Sequence, residues 1–349
     1  MTSTPIVSVV MAAGRGSRMG SPDQNKVCHT LKDVPVICHS LATYERCGVS
    51  RHVIVVGHLA DQVRAVVARE FENVEFVEQA QQLGTGNAAR CGAQPLQDAG
   101  YRGWVLVVAG DKVLRDCVVT GLIDAMERQG ADLCFVTGDR ADNPGSGRVI
   151  TDSAGRPVAI VEVSDIALSQ ALSELERLAA EAEGSVASAG VLALLRAHFP
   201  KESKLRQVCG SLYDLALDSE QIPLDRLLAE VAALVPKVEI DLPASETNGA
   251  CGASQRVRAH ELDDGAADVN LSVYLFSAEA LYEGLRHLTP ANAQGEEYLT
   301  DVVKYLAAAR TDQGRPRYSL HALRVGAPDE CMGFNTLEEL NTIRDCWGD

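Results

Sequence analysis

Hydrophobic and polar positions alternate on two scales along this chain, and the balance between them shifts near residue 164. Before that point, short unbroken apolar runs stand at PIVSVV (5–10), HVIVVG (52–57), VEFVEQ (74–79), WVLVVAGD (104–111) and ADLCFVTGD (131–139). Runs of this kind predict strands covered on both faces, as in a parallel sheet. Between them, apolar positions recur every three or four residues, the spacing of one helical face. Helices are expected over 35–46 with Pro35 in the first turn, over 61–71 capped by Asp61, from Asn87, and through Met126. Strand and helix in this order specify an α/β fold, a doubly wound, mostly parallel sheet with right-handed crossovers. Ligands in such sheets sit at the carboxyl ends of strands, where MAAG (11–14) and Gly110-Asp111 fall.

From 164 to 268 the helical period dominates. LSQALSELERLAAEA sets apolar residues at 168, 172, 175, 179 and 182, and LDRLLAEVAALV repeats the pattern from Leu224. The polar stretch between 241 and 268 is expected to be a mobile loop, after which VNLSVYLF resumes a strand and TLEELNTIRDCWGD closes the chain as a helix. The organisation expected is an α/β domain of residues 1–163 plus 269–349, with a helix-rich insertion over 164–268. No internal repeat is found.

Composition narrows the chemistry. A chain of 349 residues, 46% hydrophobic and 23% charged, can bury a large core. A net charge of -16 argues against general attraction to nucleic acid or anionic membrane, so any phosphate site must be local. The ten cysteines, at 28, 38, 47, 91, 117, 134, 209, 251, 331 and 346, form no CxxC and read as buried reduced thiols. MTSTP leads straight into a strand without a cleavage signal, and no apolar run is long enough for a bilayer, so the cytoplasm is the expected compartment.

Four stretches carry candidate chemistry. In MAAGRGSRMG, Met19 stands where a dinucleotide loop needs its last glycine, and no GK[ST] follows. The loop either cradles phosphate, with Arg18 as a fork and Lys26 as a point charge, or is a turn with solvated basic residues such as Arg15. QAQQLGTGNAA (79–89) is a second glycine turn opening a helix, in which the Gln79 amide suits a pyrimidine edge. Taken in isolation, the stretch reads rather as a flexible turn with a capped helix. In VVAGDKVL, Asp111 at a strand end could hold Mg2+ across substrate phosphates or act as a helix cap. NAQGEEYLTD (292–301) and CMGFNTLEEL (331–340) complete the set, Asn335 being either a metal ligand or an N-cap. His29 reads as structural, and no HExxH spacing or Ser/His/Asp arrangement appears.

Taken together, AAGRGSRM, KVCHTL, QAQQLGTGNA, the GD of AGDKVL, GRVI with VAIVE, VNLSVYLF, NAQGEEYLTD and GFNT resemble the sugar-nucleotide pyrophosphorylase family. They are similar in order and kind to the uridylyltransferase half of bacterial N-acetylglucosamine-1-phosphate uridylyltransferases, and they span most of the chain outside the insertion. The resemblance implies a Rossmann-like nucleotide-diphospho-sugar transferase fold and transfer of a uridylyl group from UTP to a sugar-1-phosphate. It further implies that Met11, Ala12, Ala13 and Gly14 line the nucleotide, and that Arg18 and Lys26 hold its triphosphate as the catalytic cations. Gln79 would read the uracil with Gly84 and Thr85 beside it, and Asp111 and Asn335 would hold Mg2+. Ala109, Gly110, Gly147, Glu162 and Asn270 would face the sugar.

Departures from the pattern fall on the sugar side. Ala109 replaces a tyrosine, Lys112-Val113 an apolar-proline pair, Ser146-Gly147-Arg148 a Y-G-R triplet, and Ser272 the glycine of NTG(I/V)Y. The insertion leaves after Glu162 and returns before Asn270, so it is expected either to wall the sugar pocket or to form a homo-oligomer contact. No hexapeptide repeats of the family's acetyltransferase half are present, and acetyl transfer is not expected. Thymidylyl or guanylyl transfer, or nucleotide-sugar binding without turnover, are the alternatives to uridylyl transfer.

Overall fold

A computed structural model describes residues 4–243 and 254–347. Nine strands build the main sheet: β1 (Ile6–Met11), β2 (Val49–Val56), β3 (Val74–Glu78), β4 (Trp104–Ala109), β5 (Leu133–Asp139), β6 (Arg148–Thr151), β7 (Pro157–Val161), β8 (Asp268–Ser277) and β9 (Leu320–Arg324). Their order is β7-β6-β8-β4-β1-β2-β3, with β5 against β8 and β9 against β5. Strands β1 to β4 are mutually parallel, and β9 is parallel to β5. Only β8, which pairs antiparallel with both β4 and β5, and the β6/β7 hairpin interrupt the parallel pattern.

Period-two alternation explains why the apolar runs had to become central strands. Val10, Ile54, Leu106 and Val108 enter one hydrophobic cluster, while their neighbours Val9, Val53, Val55, Val105 and Val107 enter the cluster on the opposite face. Helices α1 (Val36–Arg46), α2 (Ala60–Val67) and α4 (Asp116–Gln129) cover the first face; α3 (Thr85–Asp98) helps cover the second. Four helices follow: α5 (Val163–Glu181), α6 (Ser188–His198), α7 (Glu202–Asp218) and α8 (Leu224–Leu234). They enclose a third cluster around Leu172, Leu175, Leu195, Leu212 and Leu227, which also takes Ala159 and Val161 from β7. Helix α7 bends at Gly210, whose φ of 43° lies in the left-handed region. Helices α9 (Ala278–Arg286) and α10 (Asp301–Ala308) return to the second face, and α11 (Leu337–Cys346) ends the described chain.

Several expectations need correction. Asp61 sits inside the first turn of α2; the cap position is Leu59, in a left-handed conformation with φ 53°. Helix α3 begins at Thr85 rather than Asn87. The stretch 241–268 is not simply a loop, because Glu239–Leu242 pairs antiparallel with Gln255–Arg258; residues 244–253 lie outside the described residues. The period-two signal in GRVI and PVAIV was too short to announce β6 and β7. Among the described residues no helix is long and apolar enough to cross a membrane. The nine described cysteines carry no disulfide; Cys251 lies outside them. Cys28, Cys38, Cys134, Cys209 and Cys331 are buried, and burial pushes Cys28 up to about 11 and Cys134 up to about 12, well into the thiol form.

Candidate active site

Strand β1 ends at Met11, and Gly16 (φ 59°) and Gly20 (φ 68°) bracket a single 3-10 turn, Ser17–Met19. Met19 is buried against Leu31, Val36, Val113 and Phe334. That is why a long apolar residue occupies the third position of the glycine pattern: the turn is anchored by packing rather than by a helix running over a dinucleotide. With Met19 turned inward, Arg18 projects across the cleft and its Nη2 donates to Asn335 Oδ1 at 2.8 Å. Gly16 has a second function, since a Cβ there would lie 2.9 Å from the Lys26 Cβ.

Lys26 opens a 3-10 turn, Lys26–Cys28, held by Asn25, which is 1% exposed. Asn25 Oδ1 accepts from Val27 N at 3.1 Å, its Nδ2 donates to His58 O at 2.7 Å, and its own N–H donates to Gln62 Oε1 at 2.8 Å. The Lys26 ammonium bonds Asp111 Oδ2 and donates to Asn335 Oδ1 at 3.2 Å, 5.2 Å from the centroid of the Phe334 ring. Asp111 and Asn335 come together because the short strand Lys112–Leu114 pairs antiparallel with Cys331–Gly333, Lys112 opposite Gly333. Asn335 is therefore not the N-cap of α11. Thr336 takes that part, its Oγ1 accepting from Glu339 N at 3.2 Å.

Met11, Ala12, Gly14, Arg18, Lys26, Thr85, Ala109, Asp111 and Asn335 line one cleft of about 350 Å³. Ala13 and Gly110 lie behind its wall: Ala13 O accepts from Gln82 Nε2 at 2.8 Å, and Gly110 N donates to Met11 O at 2.9 Å. The residues fit a hard divalent cation. Asp111 Oδ1 is buried without a hydrogen-bond partner, and the amide oxygen of Asn335 lies within reach of the same ammonium as the other Asp111 oxygen. Among the described residues no group of three or more His, Cys, Asp or Glu converges, so substrate oxygens and water would complete the coordination.

The second glycine turn is built against the 292–301 stretch. Gly84 has φ 111°, and a Cβ on it would stand 2.5 Å from Glu297 O. Gly86 N donates to Glu297 O at 2.7 Å, and Leu299 N donates to Thr85 Oγ1 at 3.1 Å. Gln79 is buried beside this turn, its Nε2 donating to Asn87 Oδ1 at 2.9 Å and Gly84 O at 3.2 Å. Its amide nitrogen is thereby occupied, and Oε1 is the end of the amide left to accept.

Of the residues expected at the sugar, Ala109 and Gly110 stay with the cleft, while Gly147, Glu162 and Asn270 form a separate group. Asn270 N donates to Gly147 O at 2.9 Å, and a Cβ on Gly147 would meet Glu162 Oε1 at 3.3 Å. Asn270 Nδ2 donates to Tyr274 Oη at 2.7 Å, and its Oδ1 accepts from Ser272 N at 3.1 Å. Ser272 holds φ 60°, so the left-handed residue survives although its glycine is gone. Thr300 Oγ1 donates to Glu162 Oε1 at 2.9 Å, and Ala293 N donates to Asp165 Oδ1 at 2.9 Å. Burial is the main cause that raises the carboxyls of Glu162, Asp165 and Asp301 above their usual range, Asp165 to about 8.

Sequence reasoning missed Asn25, Gln82, Phe334 and Asp165. The first three lie within or one position from the quoted motifs, but nothing in their spacing separates them from neighbours. Sequence reasoning also saw no Ser/His/acid arrangement, yet Ser8 Oγ lies 2.7 Å from His52 Nδ1, and Glu45 3.7 Å from His52 Nε2. Ser8 and His52 are fully buried, and burial pushes the imidazole down to about 4, so this set is part of the core. His29, 7% exposed and lowered by burial and by Arg344, is likewise structural.

The chain is similar to known proteins. The bifunctional protein GlmU of Geobacter metallireducens is 40% identical over 162 residues, covering 46% of this chain and 33% of that one. GlmU of Streptococcus equi subsp. zooepidemicus is 25% identical over 329 residues, covering 94% of this chain and 48% of the relative. The chain thus spans less than half the length of each. The crystal structure of HddC from Yersinia pseudotuberculosis superposes with a TM-score of 0.51 at 12% identity, over 98% of this chain and 99% of that one, and shares its fold. The model of the MobA-like NTP transferase domain matches residues 8–209, from β1 into the first half of α7, and the chain belongs to that family.

Proposed function

We propose that this chain is a sugar-1-phosphate uridylyltransferase, forming a UDP-sugar and pyrophosphate from UTP and a sugar-1-phosphate. The observation that carries the reading is the convergence of Arg18 and Lys26 on the oxygens of Asp111 and Asn335, at the mouth of a glycine loop. A phosphate oxygen of the sugar-1-phosphate attacks the α-phosphorus in line; the α–β bridging P–O bond breaks and pyrophosphate leaves opposite. The nucleophile is already anionic near neutral pH, so no side chain has to remove a proton. What opposes reaction is repulsion between two anions and charge growing on the leaving group. Lys26 and Arg18 meet both by positioning and charge stabilisation. A magnesium ion held by Asp111 and Asn335 would supply further charge neutralisation at the phosphate oxygens.

Uridine is supported by the Gln79 acceptor, which matches a ring N–H, and by the motif set around it. N-acetylglucosamine-1-phosphate or a related sugar phosphate is the acceptor class, gripped through Gly147, Glu162 and Asn270. Residues 1–163 with 269–349 form the transferase domain and 164–268 an insertion that walls the sugar side. The packing of α5 and α7 on the 292–296 segment, through Asp165, Lys204 and Gln207, supports that wall. Cytoplasmic residence accompanies the reading.

A nucleotide-sugar-binding protein without turnover is the second reading, favoured by Lys112 beside Asp111 and by the loss of an aromatic ring at Ala109. The deciding experiment is a matrix of UTP, CTP, GTP and dTTP against a panel of sugar-1-phosphates, read by pyrophosphate release. Release with UTP and one sugar phosphate is the expected result; silence across the matrix selects the binding protein. Deleting 170–262 should alter which sugar phosphate is used, and unchanged selectivity removes the wall.

A further inference from the structure

A second concavity, of about 390 Å³, opens away from the cleft, where β9 and β7 begin and α10 ends. Its lining combines apolar surface from Val158 and Leu320 with three guanidinium groups, Arg156, Arg310 and Arg317, and two carboxylates. Both carboxylates are committed within the wall. Asp152 pairs with Arg156 at 2.8 Å, and Asp132 accepts from Ser319 N at 2.9 Å and from Ser277 Oγ at 3.4 Å. Among the described residues Arg310 meets no carboxylate; its Nη1 donates to two carbonyls, Ala307 O at 2.7 Å and Ala309 O at 3.1 Å. Arg317 pairs with Glu279, but both are about half exposed, and such pairs are weak. In a chain of net charge -16, a hollow with spare guanidinium capacity is a local exception.

We propose that this hollow binds a phosphomonoester of monosaccharide size, its phosphate on Arg310 and Arg317 and its ring against Val158 and Leu320. Guanidinium groups present planar donor pairs that match phosphate oxygens, and the volume lies within the range of small-ligand pockets. The location gives the site a consequence. The strand β7 runs from the hollow to Val161 and Glu162, and α10 runs from Thr300 and Asp301 to the hollow. The ends of these two elements that lie away from the hollow meet in the Thr300–Glu162 hydrogen bond. A ligand that draws Arg310 and Val158 together therefore biases the position of Glu162, and with it the affinity for the second substrate.

Binding is tested on the full chain by calorimetric titration with glucose 6-phosphate and, separately, inorganic phosphate. Saturable binding of glucose 6-phosphate is expected in the wild type, in Lys26→Ala and in Glu162→Gln. It should weaken about tenfold or more in Arg310→Ala, which removes a charge-assisted contact, and in Ser319→Trp, which fills the hollow. Melting curves confirm that each variant is folded, and Ser319→Trp serves if loss of the α10 carbonyl contacts unfolds Arg310→Ala. Absence of saturable binding up to about 10 mM, a concentration corresponding to marginal affinity, overturns the proposal. So does binding that is lost in Lys26→Ala or Glu162→Gln but kept in Arg310→Ala, which would place the ligand in the cleft. Equal affinity for inorganic phosphate removes the ring contact. The coupling alone rests on the transferase reading: glucose 6-phosphate should shift the KM for the sugar phosphate in the wild type and not in Ser319→Trp, and an unshifted KM with binding intact removes the coupling.

Discussion

The two sides of the candidate site are built by opposite strategies. On the nucleotide side, cations reach the cleft from tight turns whose backbones are pinned elsewhere: Met19 anchors Arg18, and Asn25 anchors Lys26. On the sugar side, Glu162, Asp165 and Asp301 lie together with their carboxyls raised by burial, and Thr300 and Lys304 bond to them. On the proposed function the difference follows from the ligands. A triphosphate is recognised by charge, and its cations must be held ready in a partly shielded cleft. A sugar is recognised by hydrogen bonds, which favour enclosed groups able to donate as well as accept. Of the departures from the family pattern, those at Ser146 and Ser272 fall on this second side with Gly147, Glu162 and Asn270, whereas Ala109 and Lys112 stand at the Asp111 cleft. Charge recognition tolerates little change in position, whereas a hydrogen-bonding pocket can be rebuilt for another hydroxyl pattern.

That contrast can be broken or sharpened. The largest effect is expected from Lys26→Ala and Asp111→Ala, each lowering the rate of pyrophosphate release by about a thousandfold while circular dichroism stays unchanged. Retention of most activity in either variant would remove the nucleotide side as the reacting centre. Next, Asn270→Ala should raise the KM for the sugar phosphate about tenfold to a hundredfold and leave UTP binding unaltered. An equal loss of UTP affinity would show that the two sides do not act separately.

A third test concerns pH. The Asp165 carboxyl is raised from 3.8 to about 8, so the folded state binds its proton more tightly than the unfolded chain. Its stabilising contribution is complete below the unfolded value and is lost as pH climbs through the folded one. Asp165→Asn retains the acceptor for Ala293 N–H without the proton. The variant should gain stability relative to wild type between pH 4 and 8, as judged by denaturant midpoints, though Glu162, Asp301 and Lys304 face the same group and keep part of the slope. Parallel wild-type and variant curves would show that Asp165 titrates normally. The smallest effect is expected at Ser272, where Ser272→Gly should relieve a left-handed residue and stabilise by about 1 kcal/mol. A destabilised variant would mean that the Ser272 side chain makes compensating contacts.

Much of the fold was legible because its signals are local. Unbroken Val- and Ile-rich runs become strands buried on both faces, and Pro35 and the GTG turn mark helix starts whatever surrounds them. The hairpin β6/β7 escaped because strands of four and five residues show too little alternation to be separated from loop. Helices α6 and α7 went unnoticed for a related reason: Phe199, the turn at 200–201 and Gly210 interrupt their period. Asp61 is a preferred capping residue, but Leu59 adopts the left-handed turn that starts α2, which leaves Asp61 inside the first turn rather than at the cap.

Candidate residues in the site were legible in kind rather than in arrangement. Glycine turns, a strand-terminal aspartate and paired cations follow from what phosphate chemistry requires of any chain, and these the sequence declared by itself, together with the layers of the sheet. Which groups share a cleft was decided only by folding. Lys26 and Asn335 are 309 positions apart, and they meet because Lys112–Leu114 pairs with Cys331–Gly333. The raised carboxyls of the sugar side likewise exist only once α5, α10 and the 292–301 segment close over them. Local periodicity is written in neighbouring residues, whereas long-range pairing and burial depend on the whole packed chain, and charge, affinity and proton binding follow from those.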